Sequence, residues 1–292
     1  AWDCLPYDRV SPSGDIVTRR VSALAEMVAW AQDDKFLPRI ILTTVNAVSQ
    51  RVMPKDTLAE ASFIAVQGKS LNIDALQEFL VANGYLRTDT VREAGEYAVR
   101  GGIVDLFAPG YEHPIRMDLF GDEIETMRSF DPMTQLTINK ANNFSLKPVT
   151  EFLLNEESIT NFRRGYREAF GTISADDPLY AAISEGRRYN GMDHWLPLFF
   201  ENKMETIFDY IPACVVTFDP QAEQARSEHE TQIFDFYKAR QTIEQAVGMQ
   251  KKKSKKGSDV SMSGAVYHPI PVNNLYIIGD EWHALLNAQV EA

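Results

Sequence analysis

Residues 87–130 alternate apolar and polar side chains with period two, and glycine or proline interrupts the run at Gly95, Gly101, Gly102, Pro109, Gly110, Pro114 and Gly121. Alternation at that period, broken by turn residues, describes an antiparallel meander. Within it, "GEYAVRGGIVDLFAPG" (95–110) sets glycines around a single basic residue, Arg100, in a pattern that invites a phosphate-cradling reading. A phosphate loop needs a helix directly after its glycines. "IVDLF" reads instead as a strand, so Gly101-Gly102 is expected to shape a bulge or to permit close backbone approach.

The continuation, "PIRMDLFGDEIETMRSF" (114–130), places Gly121-Asp122 between two alternating runs, a two-residue hairpin signal in which glycine at the first turn position favours type II′. That turn pairs Phe120 with Glu123, Asp118 with Glu125 and Arg116 with Met127, and puts all six on one face. The opposite face carries Ile115, Met117, Leu119, Ile124 and Thr126 and is expected to pack on a helix over residues 73–83. The first face then looks outward, showing Arg116 and Phe120 among carboxylates, and arginine with an aromatic is the composition enriched at binding hot spots. A plainer reading makes it an ordinary exposed strand with Arg116 paired to Asp118 or to a cross-strand acid.

On both sides of the meander the period changes. Ile16, Val17, Val21, Leu24, Ala25, Met27 and Val28 recur at helical spacing, and "LPRIILTTVNAVSQRV" (37–52) predicts a short buried strand leading into a helix. "SFIAVQGKS" (62–70) is strand-like, and "NIDALQEFLVANGY" (72–85) is an amphipathic helix capped by Asn72 or Ser70 and closed by Gly84. After Pro148 comes a helix in "NEESITNFRRGYREAFG" (155–171), then short strands at "ACVVTFD" (213–219) and "NLYIIGD" (274–280) and the helical "EWHALLNAQ" (281–289). The order is therefore α/β, a β-rich insert, then α/β again. The stretch containing the lysine run at residues 251–256 is of low complexity and reads as a mobile loop.

Several chemistries find no support. "QGKS" (67–70) ends like a P-loop, but the glycine required five positions before Gly68 is Phe63. The five histidines are scattered singly, Cys4 and Cys214 stand far apart, and Asp122, Glu123 and Glu125 fall on a turn and strand. A net charge of −12 opposes unguided attachment to phosphate backbones. No run of 18 apolar residues suggests a membrane span, and the start lacks a signal-peptide pattern, so a soluble, cytoplasmic piece of a longer chain is expected.

The stretches "LPYDRVSPSGDIVTRR", "GEYAVRGGIVDLF", "PIRMDLFGDEIETMRSFDPMTQ" and "HWLPLFF" resemble the N-terminal UvrB-like region of the bacterial transcription-repair coupling factors, over nearly the whole chain. The resemblance implies an α/β fold. A degenerate RecA-like, P-loop-type domain 1 would be split into 1a (1–61) and 1b (148–292), with a small α+β antiparallel-sheet domain 2 (62–147) inserted. It implies that domain 1 has lost its nucleotide site, hence no cofactor, no metal and no catalysis. It also implies that domain 2 binds UvrA through positions matching Arg100, Arg116 and Phe120. Leu119 and Gly121 depart from relatives carrying Phe and Asp and leave those three contacts in place. C-terminal parts of the parent would cover domain 2 intramolecularly, and DNA and RNA polymerase would be reached only through those parts. The alternative is a UvrB-type DNA helicase remnant with residual ATP and DNA binding.

Overall fold

The structure, a computed structural model, describes residues 1–31, 39–60, 63–146, 148–171, 177–211, 214–254 and 267–290. In chain order the elements are α1 (Gly14–Ala31), α2 (Val45–Val48), α3 (Lys55–Glu60), β1 (Phe63–Val66), α4 (Ile73–Ala82), β2 (Leu86–Arg87), β3 (Glu96–Arg100), β4 (Ile103–Leu106), β5 (Ile115–Phe120), β6 (Glu123–Phe130), β7 (Thr137–Lys140) and β8 (Asn143–Leu146). Then follow α5 (Glu156–Phe170), α6 (Pro178–Ser184), a 3-10 helix (Met192–Phe199), α7 (Ile207–Tyr210), α8 (Ala222–Ser254), α9 (Val272–Leu275) and α10 (Asp280–Val290). The chain is mixed α/β and divides into two compact units, one of Ala1–Ser13, Lys35–Pro54 and Leu154–Ala292, the other of Gly14–Asp34 and Lys55–Leu153.

The second unit is built on a six-stranded sheet in the order β2-β3-β4-β5-β6-β7, with β2 parallel to β3 and every later pair antiparallel. Sequence neighbours are sheet neighbours, as short glycine turns require. α4 crosses one face. Asn72 caps it by accepting from the Ala75 amide, and Gly84, at φ +79°, closes it so that the Tyr85 amide reaches the Leu80 carbonyl at 2.8 Å. Leu76 and Leu80 of α4, both fully buried, meet Val104, Leu106, Ile115, Met117, Ile124 and Met127 in one core. β1 and β8 form a separate antiparallel pair, and Ala65, Phe144 and Leu146 join the same core.

The hairpin register departs from strict alternation. Phe120 lies opposite Glu123 and Leu119 opposite Ile124, but a bulge then skips Glu125, so that Asp118 faces Thr126 and Arg116 faces Arg128. The extra residue exchanges the faces of everything beyond it in β6. Met127, expected outside with Arg116, is 2% exposed in the core, and Thr126, expected inside, lies exposed and donates its hydroxyl to Asp118. The outer face also carries a small core of its own, in which Val91, Ala98 and Phe130 are buried with Phe107 against them.

In the first unit α2, α5 and α10 form where the periodicity indicates, whereas α6 and the 33-residue α8 were not anticipated. Asn155 caps α5 in a reciprocal pair with Ser158, and Phe162 and Tyr166 on its buried face stack among Phe199, Tyr180 and Phe170. The short strands do not form. Residues 39–44 run without a ladder, leaving Ile40 95% and Leu42 97% exposed, and Val215 is 93% exposed in the same way. At 274–280, α9 ends on Leu275 and only Tyr276 bridges, to Gln50. A strand is a pairing as much as a propensity, and among the described residues these segments have no neighbour beyond single-residue bridges. The expected loop around the lysine run is also corrected in part. Residues 251–254 continue α8, and the remainder of that stretch lies outside the described residues, as do the first residues of the strand-like segments at 37 and 62.

Candidate protein-docking site

The outer face of the sheet is organised by one carboxylate. Asp105 stands in β4 directly opposite Arg116 of β5 and opposite Ala98 of β3, two residues before Arg100, and it is fully buried. Arg116 donates to it through both Nε (2.6 Å to Oδ1) and Nη2 (2.8 Å to Oδ2), and Arg100 donates through Nη2 to the same Oδ2. The two-pronged geometry is that of the strongest carboxylate–guanidinium pairs. Two cations around one buried anion leave the cluster with net positive charge at the surface. Asp105, which no sequence reading singled out, is thus the centre of the site. Its signal was a lone acid inside the apolar run "IVDLF".

Arg116 is held on every side. Its guanidinium lies 4.5 Å from the centre of the Phe130 ring, and Nη2 also donates to Gln135 Oε1 at 3.0 Å. Hydrogen bonding to Asp105 raises its pKa above the usual arginine value, so its charge is permanent. The side chain is 16% exposed, which corrects the expectation of a freely outward arginine: Asp105, Gln135 and Phe130 cover most of it. Nη1 has no acceptor among the described residues. The plainer sequence reading, a cross-strand acid paired to Arg116, is realised in Asp105. Arg100 is more open, at 45%, with Nη1 donating to the Asp89 carbonyl at 3.2 Å.

Phe120 is 81% exposed at the end of β5. Its position follows from the two hairpin turns beside it. Gly121 adopts φ +61° while Asp122 does not enter the left-handed region, as a type II′ turn requires. Gly102, in the neighbouring β3–β4 turn, accepts from the Leu119 amide at 2.7 Å, and a Cβ on it would stand 2.9 Å from the Leu119 carbonyl oxygen. Absence of a side chain there lets the β3–β4 turn close against the last residues of β5. Between Arg116 and Phe120 lies Asp118. Burial alone would push its carboxyl up, but hydrogen bonds from Thr126 and Arg128 hold it below the usual range, so it stays ionised and committed to those partners.

"QGKS" is used for pairing. The Gly68 amide donates to Ile124 O, the Leu71 amide to Asp122 O, and Lys69 O accepts from the Ile124 amide, so residues 68–71 edge the first half of β6. Backbone donors spent on a strand are not available to cradle a phosphate. Among the described residues no group of three or more His, Cys, Asp or Glu side chains is placed to hold a metal, and no helix is long and apolar enough to cross a membrane.

One pairing unforeseen in the sequence lies in the other unit: Cys4 Sγ is 4.0 Å from His194 Nε2. Its electrostatics are opposite to those of a nucleophilic pair. Burial, with Asp193 and Asp3 nearby, pushes the thiol up to about 12, and burial lowers the imidazole to about 4. Both groups are neutral near pH 7, whereas a reactive cysteine needs a depressed pKa.

Residues 64–152, which hold Asp105, both arginines and Phe120, match the UvrB interaction domain. Over 228 residues, 78% of this chain, the sequence is 38% identical to the transcription-repair-coupling factor of Haemophilus influenzae, of which it covers 19%. It is 34% identical to that of Escherichia coli K12 over 233 residues (79% of this chain, 20% of the relative) and 34% identical to that of Myxococcus xanthus over 216 (72% and 18%). The chain spans about a fifth of the length of these relatives. It carries a UvrB interaction domain and is homologous to a segment of the transcription-repair-coupling factors.

Proposed function

We propose that this chain is a non-catalytic recruitment module that binds UvrA and thereby brings nucleotide excision repair to a stalled transcription complex. The supporting observation is the presentation of Arg100 and Arg116 on a single buried Asp105, beside an 81% exposed Phe120, inside a UvrB interaction domain. Such a surface suits a protein partner: fixed cations meet carboxylates or carbonyls, and the phenyl ring fills an apolar pocket. Holding the guanidinium groups before contact removes much of the ordering cost that free arginines bring to an interface.

In this reading residues 62–147, which lie within the sheet unit, are domain 2, inserted into a degenerate RecA-like domain 1 whose halves are residues 1–61 and 148–292. The module works in the cytoplasm, and further parts of the parent chain cover its docking face until UvrA displaces them. No bond is made or broken. Direct titration of UvrA with the purified chain tests the reading: micromolar or tighter association that Arg116→Ala with Phe120→Ala abolishes supports it, and parent-like binding by that pair overturns it. Measurable ATP turnover by the isolated chain would favour a helicase remnant instead.

A further inference from the structure

We propose that the turn at residues 131–136 is a second contact of the same docking face, with Met133 and Leu136 entering an apolar cleft on the protein that takes Arg116. The proposal rests on the UvrA-docking reading above.

The turn is tightly held. Asp131 Oδ1 accepts from the Met133 amide (3.0 Å), the Thr134 amide (2.6 Å) and the Thr134 hydroxyl (2.9 Å). The backbone closes twice, from the Gln135 amide to Asp131 O at 2.8 Å and from the Asp131 amide to Leu136 O at 2.9 Å. Gln135 sits at φ +63°, an uncommon conformation for a residue with a side chain. That conformation sends its amide inward: Oε1 accepts from Arg116, and Nε2 donates to Pro132 O at 2.9 Å and Val91 O at 3.3 Å.

With Gln135 turned in, its neighbours stay out. Met133 is 80% and Leu136 69% exposed, so folding gains little from either. A turn locked by six hydrogen bonds, five of them to or from its backbone, while its apolar side chains contact water is preorganised for another surface. Methionine adapts to an irregular cleft, and leucine adds apolar area.

Continuity identifies the occupant. Nη1 of Arg116 is the donor left for a partner, and Nη2 of the same guanidinium is bonded to Gln135. A protein that contacts Nη1 therefore lies beside Gln135, the turn residue next to Leu136. The resulting face reads Met133 and Leu136, then Gln135 with Arg116, then Arg100, with Phe120 at the far end of β5: a cationic centre between two apolar ends. Its partner has acidic or carbonyl acceptors between two apolar clefts.

The test is UvrA titration against the whole chain, its Met133→Ser/Leu136→Ser variant, a Leu136→Met variant and Arg116→Ala. Expected are a tenfold or greater loss for the serine pair, near-parent binding for Leu136→Met, and an unchanged melting temperature for both. Binding by the serine pair within twofold of parent, while Arg116→Ala loses affinity, overturns this proposal and leaves the docking reading standing. A serine pair that changes self-association in sedimentation but not UvrA affinity also overturns it, because the turn is then a contact between copies. A parent chain that does not bind UvrA overturns both.

Discussion

Arg116 and Asp105 face each other across β4 and β5, and the guanidinium donates two hydrogen bonds to the carboxylate, at 2.6 and 2.8 Å, with the carboxylate fully buried and the arginine 16% exposed. The pair makes Arg116, the proposed docking residue, part of the fold as well. Replacing Asp105 by alanine leaves two guanidinium groups without their shared anion, and because both reach solvent in part the loss falls below the cost of unpairing a fully buried charge, about 3–5 kcal/mol. Asp105→Ala is therefore expected to lower the urea midpoint. Asp105→Asn keeps acceptor and shape, retains more stability, and still loosens both arginines. Its UvrA affinity should fall further than its stability does, and equal affinity in Asp105→Asn and parent would show that the clamp is structural only.

Phe120 separates the two roles. At 81% exposure it contributes little to the fold, and Phe120→Ala should leave unfolding free energy within about 0.5 kcal/mol of parent. A hot-spot aromatic costs about 2 kcal/mol or more on truncation, roughly thirtyfold in affinity. Denaturation and titration on the same preparation check this. A large stability loss would mean that the ring packs on the sheet.

Gly102 is expected to be intolerant of any side chain. Its Cβ would meet the Leu119 carbonyl at 2.9 Å, and backbone on backbone cannot rotate away. Gly102→Ala should destabilise by about 1–3 kcal/mol, the usual cost of forced overpacking, and disturb Phe120 through the adjoining residue. Gly14→Ala, where a Cβ meets nothing within 4 Å at the start of α1, is the control and should be neutral or slightly stabilising. Comparable losses in the two variants would contradict the close approach.

What the sequence disclosed follows the range of the forces involved. α4, its Asn72 cap and the Gly121 turn are specified within a few residues, and they stand where their local pattern puts them. The bulge at Glu125 is set by the contest between strict alternation and the burial of Met127, which only the assembled core decides. Arg116 and Phe120 were readable as residue types on one strand face, and Arg100 entered through the family resemblance. Asp105 and Gln135 were not readable, because a buried acid acquires meaning only once the register of the two flanking strands brings arginines to it, and Gln135 only once the turn folds it onto Arg116. The strands expected at the start of 37–52, at 213–219 and at 274–280 failed over their described residues for a related reason, since ladder partners are a tertiary fact.

His194 supplies a pH test independent of the proposed docking face. It is 1% exposed, and burial holds it down at about 4, against an ordinary value of 6.5, with Arg240 lowering it further and Asp8 opposing. The folded state therefore contains neutral imidazole, whereas the unfolded chain takes up a proton below pH 6.5. Above pH 6.5 neither state is protonated, and His194 costs nothing. As pH falls from 6.5 toward 4 the unfolded state binds more protons, and stability declines by about 1.4 kcal/mol per pH unit, or about 3 kcal/mol over the window. Asp3 and Asp118, both held below their usual values, act lower, as pH falls through the acid range. Urea midpoints from pH 7.5 to 4.5 should thus fall more steeply in the parent than in His194→Asn, which has no proton to take up. Parallel slopes in the two proteins would show that His194 takes up its proton within the fold.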